Sequence, residues 1–235
     1  LYLPRRTYTI LRVDGRAFHH WTRSHGCAQP FDAALHSALL AVSLAACQDI
    51  QGCDVAYLQS DEVSFLLTDF ATPNTDAWFD GNAQKMCSVA ASMFAARFVG
   101  SVYPAPPFAT FDARVFTIPD PIEVENYFIW RQRDAVRNSI QSLARSLYSH
   151  RELVGLNGSQ LQDMIYRKGL NWNDRPAHEK RGSLVVRRVG PDHSWVAEDA
   201  PDFTKDREFL RFQIQVVPGL ARAMEVPREP LRDDG

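Results

Sequence analysis

The sequence predicts an α+β fold in which an antiparallel β-sheet is flanked by helices. Short runs of β-branched and aromatic residues recur along the chain, and longer stretches between them carry apolar residues at helical spacing. These segments follow one another in the order strand, helix, strand, strand, helix, strand, helix, with a later strand near the end. Consecutive strands without an intervening helix favour antiparallel pairing, with the helices packed on the sheet.

Strands are predicted where apolar residues with high β-propensity run together between turn-forming residues. Such runs occupy residues 8–13, 55–58, 63–67, 111–118 and 182–189, and a further strand is expected at 209–217. The runs 55–58 and 63–67 are joined by a short polar segment that contains Ser60, Asp61 and Glu62. These two strands are therefore expected to form an antiparallel pair around that turn.

Helices are predicted over residues 31–50, 83–98, 122–149 and 160–167. Pro30 and Pro121 stand where proline commonly starts a helix, and Gly52 follows the end of the first. Segments 18–27 and 171–178 are expected to be connections. The order of elements is that of polymerase palms and nucleotide cyclases. We expect residues 1–150 to form the palm-like part and residues 151–235 to extend the same domain with a late strand and a weakly ordered tail.

The composition excludes several classes of protein. A hydrophobic content of 45% and a charged content of 23% are those of an ordinary globular protein. No apolar run is long enough to suggest a membrane span, and the first residues show no signal-peptide pattern. The chain begins at Leu1, so we expect further residues to precede it. Its four cysteines lack paired C-x-x-C spacing, which favours reduced thiols in a cytoplasmic protein over a zinc site.

The basic residues are almost all arginine. Only four of the 26 Lys and Arg residues are lysine, and the formal net charge is −2. Arginine binds phosphate through a two-pronged guanidinium, so this bias suits phosphate recognition. A GC-rich coding sequence would produce the same bias without any function.

Two carboxylates stand next to predicted strands. Asp14 follows the strand at 8–13, and Asp61 precedes the strand at 63–67. Aspartate is depleted in strands, and a carboxylate without a compensating charge is unfavourable there. If these strands are neighbours, Asp14 and Asp61 can share Mg²⁺, and the carbonyl of Gly15 can approach it because glycine has no Cβ. Two such ions would suit phosphoryl or nucleotidyl transfer. The alternative is a turn at 14–15 and a solvated loop at 61–62.

Five short motifs occur in one order along the chain: RVDGRAFH at 12–19, QSDE at 59–62, FDAR at 111–114, WRQ at 130–132 and KRG at 180–182. Together they resemble the tRNA(His) guanylyltransferase family, whose members add nucleotides in the 3′-to-5′ direction. The resemblance implies a palm-like fold with catalytic and metal-binding residues at Asp14 and Asp61, and a further metal contact at the carbonyl of Gly15.

The resemblance also implies the chemistry, the cofactors and the partners. A tRNA 5′-monophosphate would be activated by ATP or GTP with two Mg²⁺ ions, and the 3′-hydroxyl of an incoming nucleoside triphosphate would then attack the activated phosphate. Pyrophosphate removal would restore a 5′-monophosphate. The family further suggests a homotetramer.

Residues for substrate binding are expected mainly within the same motifs. Nucleotide contacts are expected at Arg16, Ala17, Phe18, His19, Ser60, Lys85 and Lys180, and RNA contacts at Arg114, Arg131, Arg137 and Arg181. For each cation, a charge that only solvates the surface is the alternative.

For the other aromatic, histidine and acidic residues in or near the motifs, we expect mainly structural roles. Trp130, Phe18 and Trp21 are expected to be core residues rather than platforms for bases. His20 and His25 are expected to be solvated, since no cysteine or further histidine stands at a spacing suited to zinc. Glu62 is expected either to support the metal ligands or to be an ordinary acid of the turn.

Two departures from the eukaryotic pattern of the family bear on the substrate. Gln29 stands where eukaryotic members carry lysine, and residues 136–139 replace a His-Ile-Asn-Asn run. These features resemble the bacterial and archaeal branch, which repairs truncated tRNA 5′ ends by templated addition. Untemplated guanosine addition to tRNA(His) is the first alternative. A nucleotide cyclase is less favoured because its Gly-Gly-Asp/Glu-Glu-Phe hairpin is absent, and a catalytically idle RNA-binding scaffold is disfavoured by the intact Asp14 and Asp61.

Overall fold

The protein has the predicted α+β fold, built around one antiparallel sheet. The computed structural model describes residues 1–101, 103–188 and 194–214. The strands are β1 Tyr8–Gly15, β2 Cys53–Gln59, β3 Glu62–Leu67, β4 Phe111–Ile118, β5 Ser183–Arg187 and β6 Trp195–Asp199. Their order across the sheet is β4-β1-β3-β2-β5-β6, so β4 and β6 are its edges among the described residues.

Eight α-helices are present in the described ranges. They are α1 Phe18–Ser24, α2 Ala33–Asp49, α3 Ala83–Ser101, α4 Pro121–Leu147, α5 His150–Leu153, α6 Gly158–Arg167, α7 Ala177–Arg181 and α8 Arg207–Ile214. Single 3-10 turns occur at Trp78–Gly81 and Trp172–Asp174. None of the helices described is long and apolar enough to cross a membrane.

Successive side chains of a β-strand point to opposite faces of the sheet, so the strands contribute to two separate hydrophobic cores. Leu11 and Val13 of β1 pack with α2 and α3, whereas Ile10 faces α4 and α8. The central strand β3 is buried along its whole length because helices cover both of its faces. A third, smaller cluster joins the second half of α4 to α6.

Local signals explain where the two long helices begin. The Asp32 carboxylate accepts a hydrogen bond from the backbone N–H of Leu35 at 2.8 Å and caps α2. Asp120 accepts from the backbone N–H of Ile122 at 2.7 Å, and Pro121 stands in the first turn of α4, where no intrahelical donor is needed.

Three sequence predictions about the elements were wrong. Segment 18–27 contains helix α1, because Phe18 and Trp21 stand three residues apart and pack together in the core. Segment 171–178 contains a 3-10 turn and the start of α7.

The strand expected at 209–217 is helical as far as Ile214, because the buried side chains of Leu210, Gln213 and Ile214 repeat at helical spacing. Residues 215–217, the expected tail and the end of the strand expected at 182–189 lie outside the described ranges. Strand β6 was not predicted.

Candidate active site

Three acids lie side by side at one end of the sheet. Asp14, at the end of β1, pairs with Glu62 on β3 and with Asp112 on β4. Residues directly opposite one another on adjacent strands project from the same face, so all three carboxylates belong to one surface. Such a row of like charges is destabilising unless cations balance it.

Asp61 joins this group from the turn between β2 and β3. The backbone N–H of Gly15 donates to the carbonyl of Asp61 at 3.1 Å, which ties the end of β1 to the turn. Ser60 adopts a left-handed conformation at φ 51°, and its hydroxyl donates to the Asp61 carboxylate at 3.0 Å. The structure thus brings the predicted pair Asp14 and Asp61 together with Gly15.

Both aspartates carry raised pKa values. Burial, followed by the negative charge of Asp14, raises the pKa of Asp61 to about 6. Burial also raises the pKa of Asp14, with Glu62 and Asp112 adding to the effect. Carboxylates that repel one another in a partly desolvated environment favour a shared proton or a bound cation.

The donor set fits a magnesium ion that takes part of its coordination from substrate. Asp14 and Asp61 supply hard oxygen ligands, and Mg²⁺ is commonly bound by one or two carboxylates plus phosphates. No group of three or more His, Cys, Asp and Glu residues gathers into a metal centre in the described part of the chain. A Cβ at Gly15 would lie 2.3 Å from Cδ2 of Phe18, so only glycine fits here without displacing that ring.

A cavity of about 380 Å³ opens beside these carboxylates. Its lining comes from residues 27–36, the turn at 59–62, the middle of α4 and the α7 region, besides Asp14 itself. It combines apolar side chains such as Phe31 and Leu39 with polar ones such as Asn138 and Ser142. An enclosed site with acids at one side suits a nucleotide whose phosphates carry the negative charge.

Arg131, expected to contact RNA, lines the cavity. Its Nε and Nη2 donate to the two oxygens of Glu62, both at 2.7 Å, and only 6% of the residue is exposed. Its guanidinium is thus buried and already paired with Glu62, and the expected contact between Arg131 and RNA phosphate stays a prediction. The same geometry makes Glu62 a supporting residue of the site, which was one of its two expected roles.

Arg12 belongs to the site and was not among the predicted residues. Its Cα pairs with Ser64 on β3 and Arg114 on β4, two positions before Asp14. The buried Nε of Arg12 has no hydrogen-bond partner and lies 3.8 Å from Oε2 of Glu62. Strand alternation could have revealed it, because residues 12 and 14 must project from the same face.

The other residues expected near the nucleotide fall in two groups. Ser60 lines the cavity, and so does Phe18, which is also a core residue as expected. Arg16 and His19 are exposed, and Ala17 begins α1 with a left-handed φ of 52°.

The two lysines expected at the nucleotide differ in position. Lys85 stands in the first turn of α3, next to Met86, which packs by Thr9 and Leu67. Thr9 and Leu67 are paired at the opposite end of β1 and β3 from Asp14, so this chain does not bring Lys85 to its own carboxylates. The Lys180 ammonium donates to the carbonyl of Asn173, although its neighbours in α7 line the cavity.

The remaining RNA candidates vary in accessibility. The side chain of Arg114 is 63% exposed and lies 3.7 Å from Asp112, and that of Arg137 is 67% exposed and pairs with Asp134. The Nε of Arg181 donates to the carbonyl of Ala200 at 3.2 Å. Trp130 is 56% exposed, so the expectation that it is a core residue was wrong.

A pair of histidines, one from the first turn of α2 and one from α7, lines one side of the cavity. The rings of His36 and His178 stack with centroids 4.5 Å apart, and His36 Nε2 lies 3.2 Å from the Ser183 hydroxyl. Burial and the neighbouring His178 lower the pKa of His36 to about 4. No sequence signal joined these residues, because 142 positions separate them along the chain.

Comparison with known proteins gives a consistent result. The family model described as tRNAHis guanylyltransferase matches residues 1–119. A probable tRNA(His) guanylyltransferase of Dictyostelium discoideum is 26% identical over 205 residues, which cover 79% of this chain and 77% of that protein.

Solved structures agree with the sequence comparison. A bacterial tRNA(His) guanylyltransferase-like protein in complex with ATP superposes with a TM-score of 0.85 and 40% identity, over 92% of this chain and 94% of that one. A second such structure, in complex with GTP, gives a TM-score of 0.80 and 38% identity over 92% and 93%. The chain therefore belongs to the tRNA(His) guanylyltransferase family and is a nucleotidyltransferase.

Proposed function

We propose that the protein adds nucleotides in the 3′-to-5′ direction to the 5′ end of tRNA, under the direction of a template base, and thereby repairs truncated ends. The observation that carries the proposal is the convergence of Asp14, Asp61 and the Gly15 backbone beside a cavity large enough for a nucleotide. The resemblance to structures that hold ATP or GTP supports the same use of the cavity.

The reaction would proceed through an activated RNA end. In the first step an oxygen of the RNA 5′-monophosphate attacks the α-phosphate of ATP or GTP, and pyrophosphate leaves. In the second step the 3′-hydroxyl of an incoming triphosphate attacks the activated 5′-phosphate, the nucleoside monophosphate leaves, and the proton passes to solvent. Both steps need spread negative charge to be neutralised more than they need covalent help from the protein.

The residues of the chain have distinct parts in this scheme. Asp14 and Asp61 would hold two Mg²⁺ ions together with the Gly15 carbonyl. When bound, Mg²⁺ would neutralise the triphosphate and orient the attacking and leaving oxygens. Arg131 holds the Glu62 carboxylate through two hydrogen bonds, and Arg12 adds a second cation 3.8 Å from the same carboxylate.

Template direction is proposed from what this chain has in place of the eukaryotic motifs. Gln29 and residues 136–139 depart from that pattern at positions that line or adjoin the cavity. Pairing with the opposite acceptor strand can supply selection, because only a matched base places the incoming 3′-hydroxyl in line, and an error of about 1 Å can lower the rate about 10²-fold. The protein would then recognise backbone and shape more than bases.

The proposal is tested with Mg²⁺, α-labelled ATP and a 5′-monophosphorylated tRNA that lacks its first nucleotide. Label should first appear on the RNA end, and each of four template bases should direct addition of its own complement. Guanosine addition to full-length tRNA(His) regardless of the opposite base would support the untemplated alternative. A cyclic product made without RNA would support a cyclase.

The assembly expected from the resemblance, a homotetramer, remains part of the proposal. Sedimentation equilibrium of the purified chain checks it directly, and a monomer at assay concentration would contradict it. A tetramer would also allow a cation such as Lys85 to reach the carboxylates of another copy, which this chain's own geometry does not provide.

A further inference from the structure

Trp130 is an exposed aromatic residue beside the site, with no part in the chemistry proposed above. The indole belongs to α4 and is 56% exposed, next to Arg131, which is 6% exposed. Arg131 bonds to Glu62, and Glu62 is opposite Asp14 in the sheet. Trp130 therefore lies at the same end of the sheet as the reacting carboxylates.

The indole is held in place by its neighbours. The Arg131 guanidinium lies 4.6 Å from the ring centroid, and the ring of Tyr127 lies 6.1 Å away. Tyr127 is in turn fixed by a 2.8 Å hydrogen bond to Ser64 and by the ring of Phe116 at 5.7 Å. A side chain with supports on its inner side and more than half of its surface accessible loses little conformational freedom when it binds a partner.

Cations continue from Trp130 along the exposed side of α4. Arg133 and Arg137 follow at intervals of three and four residues, and both are exposed. Arg133 forms no ion pair with any described residue, and Arg137 keeps most of its side chain accessible beside Asp134. On the adjacent edge strand β4, the side chain of Arg114 is 63% exposed. An aromatic ring that leads into a row of arginines is complementary to a base stacked above a phosphate backbone.

We propose that Trp130 stacks on the outermost base at the RNA end that enters the site, which is the template base or the pair it forms, while Arg133 and Arg137 contact the phosphates that follow. This inference rests on the proposed function and specifies how the RNA end is recognised. The end of an acceptor helix presents one flat surface, of a base or a base pair, that an indole can cover without reading its sequence. Such a platform would place the 5′-phosphate by the helix end, which suits an enzyme that must act on many sequences.

The test compares two RNAs of the same sequence: a 5′-monophosphorylated hairpin with an open end, and a covalently closed dumbbell that has no end. The wild-type chain should bind the open form more tightly. Trp130→Ala should weaken binding of the open form by between about 5- and 150-fold, the range for loss of one stacked base, and leave the dumbbell unchanged. Trp130→Phe should retain affinity within about threefold. The control is Tyr166→Ala, an aromatic on α6 that is more exposed than Trp130 and should have no effect.

Tryptophan fluorescence and the sedimentation mass of the protein complete the test. The open RNA should quench emission of the wild type, and that quenching should be missing from Trp130→Phe. Equal affinity of wild type and Trp130→Ala for the open form would overturn the proposal. A change in sedimentation mass of Trp130→Ala with unchanged RNA affinity per chain would also overturn it and would assign the surface to a second copy of the chain. Binding is read without nucleotide, so absence of transfer activity would contradict the proposed function alone.

Discussion

Glu62 stands directly opposite Asp14 across β1 and β3, while its two oxygens accept hydrogen bonds from Nε and Nη2 of Arg131 at 2.7 Å. The arrangement gives this third acid, which lines the cavity beside Asp14 and Asp61, a cationic partner of its own. Glu62 is thereby buried with both of its oxygens engaged. Its carboxylate contributes to the field felt by Asp14 without being free to replace it as a ligand.

The first prediction follows from that pair. Arg131→Met should lower the free energy of unfolding by about 3–5 kcal/mol, because it leaves the buried carboxylate of Glu62 without its partner. Urea denaturation followed by circular dichroism measures the change. The double variant Glu62→Gln with Arg131→Met should recover much of the loss, since the buried carboxylate is then replaced by a neutral amide. Equal destabilisation in the single and double variants would contradict this reading of the pair.

Removal of either aspartate should abolish nucleotidyl transfer and preserve the fold. Asp14→Asn and Asp61→Asn should each lower the rate of label transfer from ATP to RNA by at least about 10²-fold, because each removes a ligand that both steps need. Circular dichroism should show native secondary structure in both variants. Asp163→Asn, on the exposed side of α6, is the control and should retain full activity. Near-normal transfer by either site variant would remove that residue from the site.

Asp61→Asn should also change how stability depends on pH. The folded pKa of Asp61 is about 6, above its ordinary value of 3.8, so the folded state holds this proton more tightly than the unfolded state does. The stabilising contribution is therefore present below about pH 4 and is lost as the pH rises through about 6. Without Mg²⁺, Asp61→Asn should melt at a higher temperature than the wild type at pH 8 and show no such gain at pH 4. Calorimetry at both values checks this, and an equal gain at both would contradict it.

The contribution of His36 to stability should depend on pH in the opposite direction. Its folded pKa is about 4, below its ordinary value of 6.5, owing to burial and to His178, although Asp199 and Glu179 act against the shift. The unfolded chain binds this proton first, so stability should fall as the pH drops from about 6.5 to 4. His36→Gln should remove about 1–2 kcal/mol of that fall, after allowance for partial exposure.

Denaturant unfolding at several pH values between 4 and 7 measures the effect of His36→Gln. His150→Gln, an exposed histidine next to α4, is the matched control and should follow the wild-type curve. A His36→Gln curve parallel to the wild type throughout this range would show that His36 titrates normally.

The buried carboxylate of Glu125 anchors helix α8. This carboxylate is 1% exposed and accepts hydrogen bonds from Arg207 at 2.8 Å and Arg211 at 2.7 Å. Glu125→Ala should destabilise the fold by about 1.5–3 kcal/mol, because α8 loses its charge-assisted hydrogen bonds to α4, while both arginines remain about half exposed to solvent. Arg207→Ala should have a smaller effect, since Arg211 still neutralises Glu125. Hydrogen exchange in α8 should rise in Glu125→Ala, and unchanged protection there would contradict the anchor.

Local patterns were enough to predict most of the fold. The strands of the first half and the long α4 followed from periodicity, and Asp14, Gly15 and Asp61 came from two motifs that the antiparallel register brings together. Segments whose structure depends on contacts far along the chain were missed. Helix α1 forms because Phe18 and Trp21 are buried against residues from α3, and such packing leaves only a weak local signal.

The unexpected side-chain positions have a common physical cause. Trp130 and Arg131 are adjacent, yet the aromatic residue is exposed and the cation is buried, the reverse of what their polarity suggests. Position on the helix decides this, because only residue 131 projects towards Glu62. Lys85 was expected at the nucleotide from its type alone, and only the topology shows that its helix begins at the far end of the sheet.

Strand β2 connects two parts of the site that are far apart in sequence. It ends in the turn that carries Asp61, while the Tyr57 hydroxyl donates to the carbonyl of Arg181 at 2.6 Å, and a Cβ at Gly182 would lie 2.3 Å from the carbonyl of Leu58. Strand β2 and the α7 side of the cavity are therefore held together by these contacts, and a ligand cannot enter between them. The segment at 27–32 lines the same cavity without belonging to the sheet that carries the carboxylates. Changes in substrate preference during evolution would accumulate most easily in that segment, since there a shift of backbone leaves the carboxylates undisturbed.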